Sequence, residues 1–177
     1  MTFERLYDAH FTFVWRSLRR LGVPESDLAD ALQETFLAVH RNLTAFEGRA
    51  RITTWLFRIA MGIAKDRRQR AHAQREVLGS DELEWAAASA SQEDELERHQ
   101  DLDLIERALS RLNLEQRAVF ILFELEELGG AEIAEALQIP LGTVHSRLRL
   151  ARAAFERAVH AEMARRNRVF RPTPEAS

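Results

Sequence analysis

GAEIAEALQIPLGTVHSRLRLARAAF, Gly130 to Phe155, is the stretch that decides the fold. Ile133, Ala134 and Leu137 recur at one-turn spacing, and Val144, Leu148, Ala151 and Phe155 resume that period after an interruption at Ile139-Pro140-Leu141-Gly142. A short helix, a tight turn and a second helix with a narrow apolar stripe form a helix-turn-helix pattern. Ala134 suits a close approach of the two helices, Ile139 plugs the turn, and Pro140 with Gly142 breaks the first helix before the second begins.

On a wheel of about 100° per residue, with Val144 at the buried centre, His145, Ser146 and Arg149 fall on the far side, flanked by Arg147 and Arg152. Such a face fits a DNA major groove, where arginine grips guanine with two donors and serine or histidine meets a base edge or phosphate. The competing reading is a solvated basic face on a packing helix.

Working outward, the 177 residues make one domain or two small ones, and 46% hydrophobic content is ample for cores. The longest apolar run, Ala118 to Phe123, falls far short of the roughly 18 residues of a membrane span. The opening MTFERLYDAH lacks an apolar signal region, and the absence of cysteine excludes disulfides and thiolate metal sites, which fits the cytoplasm. The net charge of -3 hides segregation. Arg49 to Arg75 holds eight basic residues against Asp66, and Thr143 to Arg168 holds seven arginines against Glu156 and Glu162. Gly79 to Asp103 holds nine acids against Arg98. Two basic faces are thus joined by an acidic connector.

The periodicity predicts an amphipathic helix over residues 3–21, with Phe3, Leu6, Tyr7, Phe11, Val14 and Leu18 on its apolar face, closed near Gly22. A second helix starts at Pro24-Glu25-Ser26-Asp27 and buries Leu28, Ala31, Leu32, Thr35, Phe36 and Val39. Its opposite face carries Asp27, Asp30, Gln33 and Glu34, which taken alone read as a solvated surface. After the loop around Phe46-Glu47-Gly48, Thr53 or Thr54 caps a third helix that turns Trp55, Leu56, Ile59, Ala60 and Ile63 inward and ends in a basic run. Trp55 and Phe57 read as core residues in preference to stacking platforms. Gly79 to Gln100 reads as a flexible acidic linker. Stripes at Leu102, Ile105, Leu109 and Leu112, then at Ala118, Val119, Leu122 and Leu128, lead into the helix-turn-helix. The chain ends in a frayed tail. The expected architecture is all-α: two small helical domains joined by a flexible acidic linker, the second a helix-turn-helix.

Three stretches together resemble bacterial RNA polymerase sigma factors of the extracytoplasmic-function (ECF) group. They are DLADALQETFLAVHRNL from Asp27, FEGRARITTWLFRIAMGIAKDRRQR from Phe46, and LNLEQRAVF onward from Leu112 through GTVHSRLRLARAAF. The resemblance covers residues 1 to about 160. It implies a region-2-like domain at 1–75, an acidic linker at 76–100, a region-4-like domain at 101–166 and a tail at 167–177. Position by position, it places Asp27, Asp30, Gln33 and Glu34 against the coiled coil of the largest polymerase subunit, with the polymerase flap as a further contact. The loop holding Phe46, Glu47, Gly48, Arg49 and Arg51 matches the segment that traps a flipped base of the minus-ten element. Arg58, Met61, Lys65, Arg67 and Arg68 match the helix lying on that element. Gly142, Thr143, His145, Ser146, Arg147, Arg149 and Arg152 match the reader of the minus-thirty-five element. The implied partners are core RNA polymerase, promoter DNA and an anti-sigma protein; no cofactor, metal, catalytic residue or membrane insertion is implied.

The sequence departs from the family at four places: Gly62 for a common Asn, Gly129-Gly130 for Ser-Tyr, Gln138 for Gly, and His145 for Lys or Arg. The rival readings are a dimeric operator-binding regulator that never joins polymerase, and a helical adaptor. Neither uses both the Asp27 to Glu34 face and the basic loop. The six histidines form no metal-spaced pair, and no nucleophile-base or phosphate-loop pattern points to an enzyme.

Overall fold

Helix α1, Phe3–Arg20, ends as its periodicity predicts. Gly22 takes φ 91°, and the backbone N–H groups of Leu21, Gly22 and Val23 turn back to Ser17, Arg19 and Leu18. A residue with a Cβ resists that left-handed conformation. The structure is a computed structural model and describes residues 2–46, 48, 50–78 and 104–169. Helix α2, Glu25–Asn42, opens on Pro24 (φ -58°), places Glu25 and Asp27 at its positive end, and buries the six residues expected of it. Thr35 satisfies its buried hydroxyl by donating to the Ala31 carbonyl at 2.7 Å. A 3-10 turn, Leu43–Ala45, leads into the loop before α3, Ile52–Leu78. Helices α1, α2 and α3 pack pairwise around Leu6, Val14, Leu18, Leu28, Val39, Leu56 and Phe57, each 0 or 1% exposed.

Two local expectations give way here. The first turn of α3 carries no threonine cap. The helix begins at Ile52 with Trp55 N–H bonded to the Arg51 carbonyl, and the Thr54 hydroxyl is buried without a partner. The apolar face of α1 is also wider than the core that covers it, leaving Tyr7 and Phe11 at 36 and 37% exposure.

The second module starts with helix α4, residues 104–110, and α5, Leu114–Phe120. Asn113 caps α5, its side chain accepting from the Gln116 N–H at 2.8 Å. The chain then widens into a π turn, Ile121–Leu125, before α6, Gly130–Leu137, and α7, Leu141–Val169. Val144, Leu148 and Ala151 form the stripe of α7 that faces this core, and Phe155 stacks on Phe120 at 4.6 Å between ring centroids. Contrary to expectation, neither Pro140 nor Gly142 breaks α6, which has already closed at Gln138: Pro140 stands directly before α7, and Gly142 lies inside its first turn. Among the described residues there is no strand. The sequence expected as a flexible linker lies almost wholly outside the described residues, as do Leu102 and the last eight residues of the tail.

Both modules are helical, and they share an interface. Arg19 pairs with Glu106 at 2.9 Å, Arg20 pairs with Glu126 at 3.4 Å, and α3 packs on α6. Between them lies a cleft of about 340 Å³, lined by Phe46, Thr54, Trp55 and Arg58 on one side and Glu135 and Gln138 on the other.

Candidate nucleic-acid interface

Helix α2 presents one acidic face, since Asp27, Asp30, Gln33 and Glu34 recur every three or four residues opposite its buried stripe. Asp30 and Gln33 are exposed; Asp27 and Glu34 are held from behind by Arg67 of α3. Ser26 also donates to the Asp27 carboxylate at 3.0 Å.

The loop before α3 and the outer face of α3 form a second surface. Phe46 is half-buried with its ring 5.0 Å from that of Trp55, Gly48 takes φ 72°, and Arg51 is exposed. Glu47 and Arg49 lie outside the described residues. Arg58, Lys65 and Arg68 are exposed at positions two and three turns apart, so one face of α3 carries a row of cations. Met61 is half-buried against the core. Gly62 interrupts the row with bare backbone: a Cβ there would touch nothing within 4 Å, so packing does not require the glycine.

On α7 the structure brings Gly142, His145, Ser146 and Arg149 to the exposed side, with Thr143 and Arg147 half-buried at its edges. Ser146 donates to the Thr143 carbonyl at 3.0 Å. Arg152 is already engaged: it pairs with Glu124 and lies 5.0 Å above the Phe123 ring. The π turn is what carries Phe123 and Glu124 to that position.

Two of the departures in sequence prove to be one. A Cβ at Gly130 would meet the His145 ring at 3.2 Å and Leu141 at 3.2 Å, so the glycine makes room for the imidazole beside the start of α6. That start is otherwise well formed, with the Gly129 N–H donating to the Glu132 carboxylate at 2.9 Å. Gln138 closes α6 in the left-handed conformation (φ 54°, ψ 45°) that glycine adopts without strain.

Pattern reading overlooked Arg117. It is 3% exposed, donates to the Leu112 carbonyl at 3.2 Å and leaves its Nε without a partner. Burial lowers its pKa to about 10, and the positive charge of Arg68 across the module boundary adds to the shift. The signal was available, for Arg117 stands on the apolar stripe between Leu114 and Ile121. Glu135 and Gln138, which face the loop across the cleft, carried no such signal.

Residues 6–74 match the family described as Sigma-70 region 2, and residues 102–155 match that described as Sigma-70, region 4. The chain is 32% identical over 155 residues to the ECF RNA polymerase sigma factor SigM of Mycobacterium tuberculosis, spanning 88% of this chain and 76% of that relative. It is 31% identical over 145 residues to the ECF RNA polymerase sigma-E factor of Escherichia coli K12, spanning 77% and 76%. The structure of CnrH in complex with the cytosolic domain of CnrY superposes with a TM-score of 0.60 at 26% identity, covering 90% of this chain and 88% of that one. The sigma factor RpoE of Bartonella quintana, solved with the anti-sigma factor NepR, shares the fold with a TM-score of 0.65 at 23% identity, covering 87% and 96%.

Proposed function

The chain belongs to the ECF group of the sigma-70 family, the factors that direct RNA polymerase to promoters, and from that premise we propose which surface performs each part of the task. Residues 1–75 act as the docking and minus-ten module, residues 101–166 as the minus-thirty-five module, and residues 76–100 as the acidic connector. Asp27, Asp30, Gln33 and Glu34 dock on the coiled coil of the largest polymerase subunit. Phe46 and the loop after it receive a flipped base. Arg58, Lys65 and Arg68 follow the phosphates, with Met61 beside them. His145, Ser146 and Arg149 meet base edges in the major groove, while Gly142 and Thr143 bring backbone close to phosphate and Arg147 and Arg152 flank the groove.

The mechanism is location rather than bond-making. Each arginine or lysine on a phosphate releases counterions, giving salt-sensitive attraction without sequence information; base contacts then set the register. Opening the minus-ten element costs a few kcal/mol of unstacking, and capture of the flipped base offsets it. The observation that carries this reading is the exposed His145, Ser146 and Arg149 face, opposite Val144 at 0% exposure and directly after the turn. No helix among the described residues is long and apolar enough to cross a membrane, consistent with action in the cytoplasm, where polymerase and promoters meet. CnrH and RpoE were solved with bound protein partners, and this chain is proposed to be held by an anti-sigma protein likewise.

Run-off transcription from genomic fragments with purified core polymerase tests the assignment. The wild-type chain is expected to start transcription at discrete sites. Arg149→Ala is expected to lose about 1–3 kcal/mol of discrimination at one minus-thirty-five position. Equal transcripts with and without the chain would reject the reading.

A further inference from the structure

Arg67 differs in its setting from its basic neighbours. Lys65 and Arg68 are exposed on α3, whereas the Arg67 side chain is 13% exposed and directed at α2. One of its terminal nitrogens lies 2.7 Å from the Glu34 carboxylate. The other lies 3.7 Å from the Asp27 carboxylate and donates to the Asp27 carbonyl at 3.5 Å. One guanidinium therefore spans two turns of α2 and holds both ends of the acidic face, with Asp30 exposed between them. Three carboxylates against one guanidinium keep that face acidic.

We propose that Arg67 is a positioning residue of the polymerase-docking face and not a phosphate contact; this rests on the docking role assigned to α2 above. A carboxylate on a surface helix samples several rotamers, and ordering it on binding costs affinity. A planar fork with separate donors bonds the Glu34 carboxylate with one arm, while the other bonds the Asp27 carbonyl and pairs with the Asp27 carboxylate, which a lysine ammonium cannot do in the same way. Its low exposure protects the pairing from salt better than a surface ion pair is protected. Because the fork belongs to α3, it also locks the docking helix to the helix that carries the minus-ten surface.

The experiment titrates the full chain against core RNA polymerase, and separately against a mixed-sequence single-stranded oligonucleotide over a salt series. Arg67→Gln is expected to weaken polymerase binding about threefold to tenfold, the cost of ordering side chains that were preset. The salt slope of its DNA binding should equal that of the wild type, whereas Lys65→Gln should lower the slope by about 0.7, the share of one phosphate on a single strand. In a double-mutant cycle with Glu34→Gln the losses in polymerase binding should be non-additive, and Arg67→Lys should give an intermediate loss. Polymerase binding by Arg67→Gln at wild-type affinity overturns the proposal. So do a salt slope reduced as much as in Lys65→Gln, or losses that add in the cycle. If Arg67→Gln fails to fold, Arg67→Lys carries the comparison, and wild-type affinity there overturns the proposal. Failure of the wild-type chain itself to bind polymerase would overturn the docking role of α2, a result distinct from an unaffected Arg67 variant.

Discussion

Gln138 shows how a single backbone angle carries a cost. Its left-handed conformation lets its own N–H and that of Ile139 return to Glu135 and Ala134, which ends α6 and sets the angle of the turn. An L side chain there is strained by roughly 1–2 kcal/mol, against which a glycine loses some unfolded-state freedom. Gln138→Gly is therefore expected to stabilise the chain by about 1 kcal/mol, read as a rise of about 2–4 °C in the thermal midpoint. A fall would mean that the Gln138 side chain holds the cleft together. Gly130 illustrates a different case: a Cβ there would lie 3.2 Å from the His145 ring and from the Leu141 side chain, so a larger residue requires those neighbours to shift by a few tenths of an ångström.

Helix α3 serves two masters along its length. Its inner face packs Leu56, Phe57, Ala60 and Ala64 into the core, and its outer face carries Arg58, Lys65 and Arg68. Gly62 sits on that outer face without a packing reason, so it loosens the helix within the row of cations. Gly62→Ala is expected to add about 0.5–1 kcal/mol of stability, measured by denaturant unfolding. The salt slope of DNA binding should stay unchanged, because alanine adds no charge. In α7 Gly142 is likewise exposed, with nothing within 4 Å of an added Cβ, and Arg152 has already committed its charge to Glu124 and Phe123, so of the proposed reading residues Arg149 and His145 are the more available.

At the scale of the whole molecule, the packing of α6 on α3 turns part of the loop before α3 toward the second module. Glu126 lies in that interface beside Arg20. Its pKa is raised, because desolvation by burial outweighs the favourable charges of Arg20 and Arg16. A carboxyl with a raised folded pKa stabilises the fold most when protonated: the contribution is full below the unfolded value and is lost as pH rises through the folded one. Glu126→Gln should accordingly be more stable than the wild type at about pH 8. That advantage should shrink as the pH falls through the raised pKa and the wild-type carboxyl takes up its proton. Paired thermal melts across that range check it, and an advantage that grows on acidification would refute it.

Much of this is legible in the chain itself. A period of 3.6 residues writes each buried stripe into the chain, so the six buried residues of α2, the Val144 stripe of α7 and the helix-turn-helix follow from spacing alone. The composition of each face followed too, because a side chain's place on a helix is set by local geometry. What periodicity does not contain is the partner of a charge. Arg67 and Glu34 are 33 residues apart, Arg152 and Glu124 28, and Arg20 and Glu126 106. Only the packing of whole helices brings such groups within a few ångströms, and with that packing came the choice of which arginines remain exposed and which are already held.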